Sequence, residues 1–182
     1  MKGAIVVVLV WSLVAAPLAF ALLRAPKQLF LGCSAAIGVL AVSLWIAAGF
    51  GYRITENMTA SLNGHIYLHK VGAPFRRGDL IAYHWQGGAT YPPGTIFIKR
   101  VIGVPGDEVR TDGRMFWIGE RYIGFAKPVS RAGVPLTPAA GGTIPDGEYF
   151  VATGNPDSLD SRYALAGNVK RAQILGRAYE LF

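Results

Sequence analysis

No charged residue occurs between Gly3 and Leu23, and none between Gln28 and Tyr52. Each run is long enough to cross a bilayer, which takes about 20 residues in a helix. Only the short connector Arg24-Ala25-Pro26-Lys27 separates them. Residues 1–52 therefore read as a transmembrane helical hairpin, with spans at about 3–23 and 28–50 and the connector as its tight turn. Two basic residues in so short a loop favour its staying on the cytoplasmic side. That topology places the chain from about Arg53 onward outside the cytoplasm. The expected location is a bacterial inner membrane, multi-pass, with the following domain on the periplasmic face. The competing reading of the first run is a cleavable signal peptide that starts at Lys2. A second apolar run following at once favours the hairpin.

Every acidic residue lies after Gly51, where the chain turns polar and rich in Gly and Pro. Short β-branched and aromatic runs then alternate with turn residues: Ile66–Leu68, Leu80–Trp85, Ile96–Val104, Met115–Ile118, Arg121–Ile123, Tyr149–Ala152 and Ala172–Tyr179. Gly119-Glu120 between two of them is a hairpin signal. None of these runs has helical periodicity. Residues 53–182 are expected to form an all-β domain with coiled or barrel-like sheets, and Ser130–Asp146 a surface loop between hairpins.

The single cysteine, Cys33, falls inside the second apolar run, so the β domain must hold together by its core alone. His65, His69 and His84 are scattered, and no CxxC or HExxH spacing occurs. No metal and no cofactor are expected. The net charge is +7, but Lys and Arg are dispersed beyond Gly51. Arg53 and the Arg76-Arg77 pair suit anionic lipid headgroups, and nucleic acid is not an expected partner. The lipid bilayer is.

One lysine stands out. Lys99 sits in the β-branched run Ile96-Phe97-Ile98-Lys99-Arg100-Val101-Ile102, which ends at the turn Pro105-Gly106-Asp107. A lysine in a buried strand has its charged form disfavoured by desolvation, which makes a neutral amine available as a base. A serine hydroxyl is a weak nucleophile until such a base takes its proton. Two further blocks offer partners. Asn57-Met58-Thr59-Ala60-Ser61-Leu62-Asn63-Gly64 carries a serine among small residues. Gly154-Asn155-Pro156-Asp157-Ser158-Leu159-Asp160-Ser161-Arg162-Tyr163 is dense in hydroxyls and charge.

In this order the three blocks resemble those of the signal peptidase I superfamily of membrane-bound Ser/Lys proteases. Lys99-Arg100-Val101-Ile102-Gly103-Val104-Pro105-Gly106-Asp107 is similar to the family's lysine box. Ser158-x-Asp160-Ser161-Arg162 resembles its last box, and Gly78-Asp79-Leu80-Ile81 the strand box before the lysine. The resemblance implies that Ser61 is the nucleophile and Lys99 its general base. It also implies that Thr59 assists the Ser61 N–H in an oxyanion hole and that Ser158 orients the lysine. Arg100, Asp160 and Arg162 would form an ion-pair scaffold beneath the site. Within the superfamily, Thr59-x-Ser61-Leu62 followed by Ile66-Tyr67 is closer to the conjugative-transfer (TraF-type) branch, which processes pilin precursors.

The resemblance thus implies a serine endopeptidase that cuts a membrane-inserted precursor, with a pilin of a conjugation or type IV secretion system as substrate. A general signal peptidase for secretory precursors is the alternative. A reading of another class is an assembly factor that keeps the fold without activity. The nucleophile lies about eight residues past the second apolar run, a tether that keeps it close to the bilayer surface. Set against these roles are plainer ones: a loop serine at 61, a snorkelling lysine at 99, and a structural salt bridge between Asp160 and Arg162.

Overall fold

The computed structural model describes residues 26–57, 61–88 and 91–181. The first apolar run, with most of the hairpin turn, lies outside them, and so does Thr59. The described chain falls into two units that divide between Gly49 and Phe50.

The first unit contains one helix, α1 (Lys27–Gly49), none of whose residues is buried. Pro26 caps it, its carbonyl accepting the Phe30 N–H at 3.0 Å, which suits a proline just ahead of a first turn. Lys27, expected in a tight turn, is instead the first helical residue. Among the described residues α1 alone is long and apolar enough to span a membrane. The helix stops short of the apolar run's end. Gly51 takes φ 81°, a left-handed conformation that glycine adopts without steric cost, and Tyr52 already belongs to a strand.

The second unit is mostly β. Its larger sheet takes seven strands in the spatial order β1 (Tyr52–Glu56), β2 (Ile66–Val71), β11 (Ile174–Glu180), β3 (Leu80–His84), β4 (Ile96–Gly103), β9 (Glu148–Ala152) and β10 (Val169–Lys170). A smaller sheet orders β7 (Arg121–Phe125), β6 (Met115–Ile118), β5 (Glu108–Asp112) and β8 (Gly142–Thr143). All the pairings are antiparallel.

Strand β4 alternates poorly in sequence because both its faces are covered. It lies between β3 and β9, with Phe97, Ile98, Val101 and Ile102 all buried. Phe97 and Val101 pack with Ile81, Tyr83, Trp85 and Val151. On the opposite face Ile98 joins Tyr67, Leu80 and Ala178, and Ile102 joins Val109, Phe116, Ile118 and Phe150. The interior is thus three clusters around one central strand.

Strands β1, β5, β8 and β10 were not among the expected runs. Glu108-Val-Arg-Thr-Asp carries one apolar residue in five, and β8 and β10 are two residues each. The segment expected as a surface loop is also more than that. Within it Leu136 and Ile144 are buried in the core, and Gly142–Thr143 adds β8 to the smaller sheet.

Candidate functional site

Lys99 occupies the middle of β4 and is 4% exposed. Its backbone pairs with Ile81 of β3, so the strand, not a loop, fixes its position. Among the described residues Nζ has no hydrogen bond and no ion pair. It lies over the Phe97 ring at 5.6 Å from the centroid. Burial pushes its pKa from 10.5 down to about 8, opposed by the Asp160 carboxylate and helped by the Arg162 guanidinium. At a pH near 8 a substantial fraction of this amine is neutral.

Ser61 is 9% exposed and follows immediately on residues 58–60. The loop that carries it is closed by its own flanks. Asn57 N–H donates to the His65 carbonyl at 2.7 Å. The Asn57 side-chain amide donates across the loop to the carbonyls of Gly64 at 3.1 Å and Leu62 at 3.4 Å. From the other side Gly64 N–H donates to the Tyr67 hydroxyl at 3.0 Å. Tyr67 is fully buried, and its hydroxyl also bonds the Glu180 carboxylate; burial above all raises its pKa. A Cβ on Gly64 would meet Glu180 Cγ at 2.6 Å and the Tyr67 hydroxyl at 2.7 Å, so this close approach requires glycine.

Ser61 and Lys99 line one cleft of about 690 Å³, together with Ile96, Phe97, Leu136 and Ser158. The lining is mainly apolar, in keeping with a site for an extended apolar segment. Asp157 borders the cleft too, bound to Lys127 and to Arg131 at 2.9 Å. That ion triad ties the chain around residues 127–131 to the Ser158 block.

The remaining expected residues divide. Asp160 and Arg162 form a doubly hydrogen-bonded pair, Nε to Oδ1 at 2.8 Å and Nη2 to Oδ2 at 2.9 Å, with side chains 0% and 2% exposed. The guanidinium also donates to the carbonyls of Phe125 and Asn155, so the pair anchors the last block against β7. Arg100 is not part of it. Its side chain leaves β4 on the face opposite Lys99, is exposed, and donates to the Gly78 carbonyl at 2.6 Å. Strand alternation separates the two neighbours. Ser158 is buried beside the cleft, and among the described residues its hydroxyl has no hydrogen-bond partner, Lys99 included.

The clamp that Asn57, Gly64 and Tyr67 form around the loop was not expected from sequence. An asparagine at the mouth of a short turn-rich loop is a signal for such a clamp, but its acceptors are backbone carbonyls, which leave no trace in residue identity. Among the described residues no group of three or more His, Cys, Asp or Glu side chains is placed to hold a metal ion.

The family model described as signal peptidase, peptidase S26, matches residues 27–182. The signal peptidase I U of Bacillus subtilis is 34% identical over 109 residues, covering 56% of this chain and 55% of that protein. A probable signal peptidase I-2 of Synechocystis is 33% identical over 134 residues, covering 68% of this chain and 57% of that protein. The crystal structure of a signal peptidase I from Enterococcus faecalis is 28% identical, covering 59% of this chain and 98% of that one at a TM-score of 0.39. The chain spans little more than half the length of the two curated relatives.

Proposed function

Because the chain belongs to the signal peptidase, peptidase S26, family, we propose that it is a membrane-anchored serine endopeptidase with Ser61 as nucleophile and Lys99 as general base. The observation that carries this is a lysine amine, buried in a strand and lowered to about pKa 8, lining the same cleft as a serine held in a clamped loop. Neutral Nζ takes the proton as Ser61 Oγ attacks the scissile carbonyl. The oxyanion that forms is met by the Ser61 N–H and the Thr59 hydroxyl, donors of a kind worth about 2.7–4 kcal/mol each in the transition state. Lys99 then returns the proton to the leaving amine. The acyl-enzyme is released by a water that Lys99 activates in turn.

The presence of Ser61, Lys99 and Ser158 along one cleft supports the enzyme over an inactive assembly factor. The substrate is a membrane-inserted precursor with small residues near the cut. The names of the relatives support a general signal peptidase acting on secretory precursors. A conjugative pilin is the second reading, supported by Thr59-x-Ser61-Leu62 and by the Ile66-Tyr67 pair, whose tyrosine pins the nucleophile loop. α1 is the membrane anchor, residues 1–52 form a two-span hairpin, and residues 53–182 work on the periplasmic side.

The test is incubation of the full chain in detergent with a secretory precursor and with a pilin precursor, followed by mass spectrometry of the products. One cut after small residues, lost in Ser61→Ala and in Lys99→Ala, is the expected result. Cleavage at the parental rate by either variant overturns the assignment. The precursor that is cut decides between the two substrates.

A further inference from the structure

Ser61 borders a second cleft, of about 670 Å³, which shares Asn155, Asp157 and Arg131 with the first. The two differ in chemistry. Lys99 and the apolar residues of β4 line the first. The second is bordered by Asn63, Arg100, Arg121, Thr153, Asn155 and Glu180 and is mainly polar.

The charges of the second cleft are unequally matched. Arg131 is bound to Asp157, which Lys127 also holds. The Glu180 carboxylate is hydrogen-bonded to the Tyr67 hydroxyl. Among the described residues Arg100 hydrogen-bonds through its side chain to the Gly78 carbonyl alone, and no carboxylate lies within ion-pair distance of it. The exposed side chain of Arg121 makes no hydrogen bond or ion pair among the described residues. Two guanidinium groups beside the proposed nucleophile are therefore open to an incoming anion. A guanidinium presents a fork of donors that a carboxylate fits.

A peptidase must hold chain on both sides of the bond it cuts. Under the peptidase reading, on which this inference rests, the apolar acyl side of the precursor occupies the Lys99 cleft. The departing segment, the polar part of the substrate, then has the second cleft to enter. We infer that Arg100 and Arg121 make the second cleft a subsite for the residues just after the scissile bond, and that it selects acidic side chains there. Arg100 thus acts on substrate choice from the strand face opposite Lys99.

The experiment uses the full chain in detergent and peptides with one shared acyl side. The first three residues after the cut carry Asp, Ala or Lys. At low salt kcat/KM for the Asp peptides should exceed that for the Lys peptides by about three- to tenfold, the scale of a few solvent-exposed ion pairs. Raising the ionic strength should shrink the ratio, since exposed charges are screened. Arg121→Glu and Arg100→Glu should each lower it, and together invert it. Arg121 carries the test alone if Arg100→Glu disturbs the Gly78 contact. Equal rates for the parent on all three peptide sets overturn the subsite and leave the peptidase intact. If no peptide is cleaved, the peptidase reading fails and the subsite falls with it.

Discussion

Arg162 grips Asp160 through the Nε and Nη2 donors along one edge of its guanidinium, two residues away in sequence and shut off from solvent. The same two groups act on Lys99 in opposite directions, so burial rather than either charge sets the lysine's pKa. Removing one partner strands the other. Asp160→Asn and Arg162→Met should each cost about 3–5 kcal/mol, the penalty of an uncompensated buried charge. Thermal unfolding of the full chain in detergent reads this directly. A loss below roughly 1 kcal/mol, the scale of an exposed pair, would show that the pair is not needed to hold the last block in place.

The lowered pKa of Lys99 has two consequences with definite signs. If its neutral form is the base, kcat/KM should rise with pH, follow the neutral fraction through about pH 8, and level off above. For stability, the unfolded lysine keeps its proton up to about 10.5 and the folded one only up to about 8. Between those values the unfolded chain binds more protons, so this group's contribution makes stability rise with pH across that window. Below it the folded state bears the full cost of a buried ammonium, about 3 kcal/mol. Lys99→Met should therefore abolish cleavage yet raise the melting temperature at neutral pH. A variant no more stable than the parent there argues against a strained lysine.

Ser158 separates structure from activity in the opposite sense. Among the described residues its hydroxyl is buried without a hydrogen bond, and a group in that state invites an explanation. Ser158→Ala removes no bond of the resting fold, so unfolding should shift by less than about 1 kcal/mol. If the hydroxyl engages Lys99 only during turnover, kcat should fall by roughly tenfold, toward the lower end of what general acid–base assistance contributes. Parental kcat in Ser158→Ala would remove the lysine-orienting role.

The Asn57 clamp is the most exposed part of the mechanism to a small change. Asn57→Asp keeps the shape but turns two N–H donors into an oxygen facing the carbonyls of Leu62 and Gly64. The Ser61 loop should shift, and a misplacement of about 1 Å can cost on the order of 10²-fold in rate. The expected signature is a fall in kcat with KM little changed, measured on one peptide. An equal rise in KM with kcat intact would instead place Asn57 in substrate binding.

What the sequence made legible follows from where each signal resides. Lys99 was conspicuous because a cation in a β-branched run is costly, and the strand that buries it is long and flanked on both sides. The grouping of Ser61, Lys99 and Ser158 around one cleft followed from block order and resemblance. The separation of Arg100 from Asp160 did not, although strand alternation already puts residues 99 and 100 on opposite faces. Strand β5 escaped because its outward residues are charged and only Val109 is buried. The Tyr67–Glu180 contact depends on β2 and β11 lying side by side, a pairing over a hundred residues apart that no local pattern reports.

That pairing also orders events in time. The hairpin of β1 and β2, which carries the Ser61 loop at its turn, is joined by backbone hydrogen bonds to β3, and so to the Lys99 strand β4, through β11. Residues 174–180 are made after every other strand. A ribosome that has delivered the serine and the lysine has not yet delivered the strand that joins them. Until synthesis reaches β11, the two halves of the larger sheet lack the one strand that hydrogen-bonds to both.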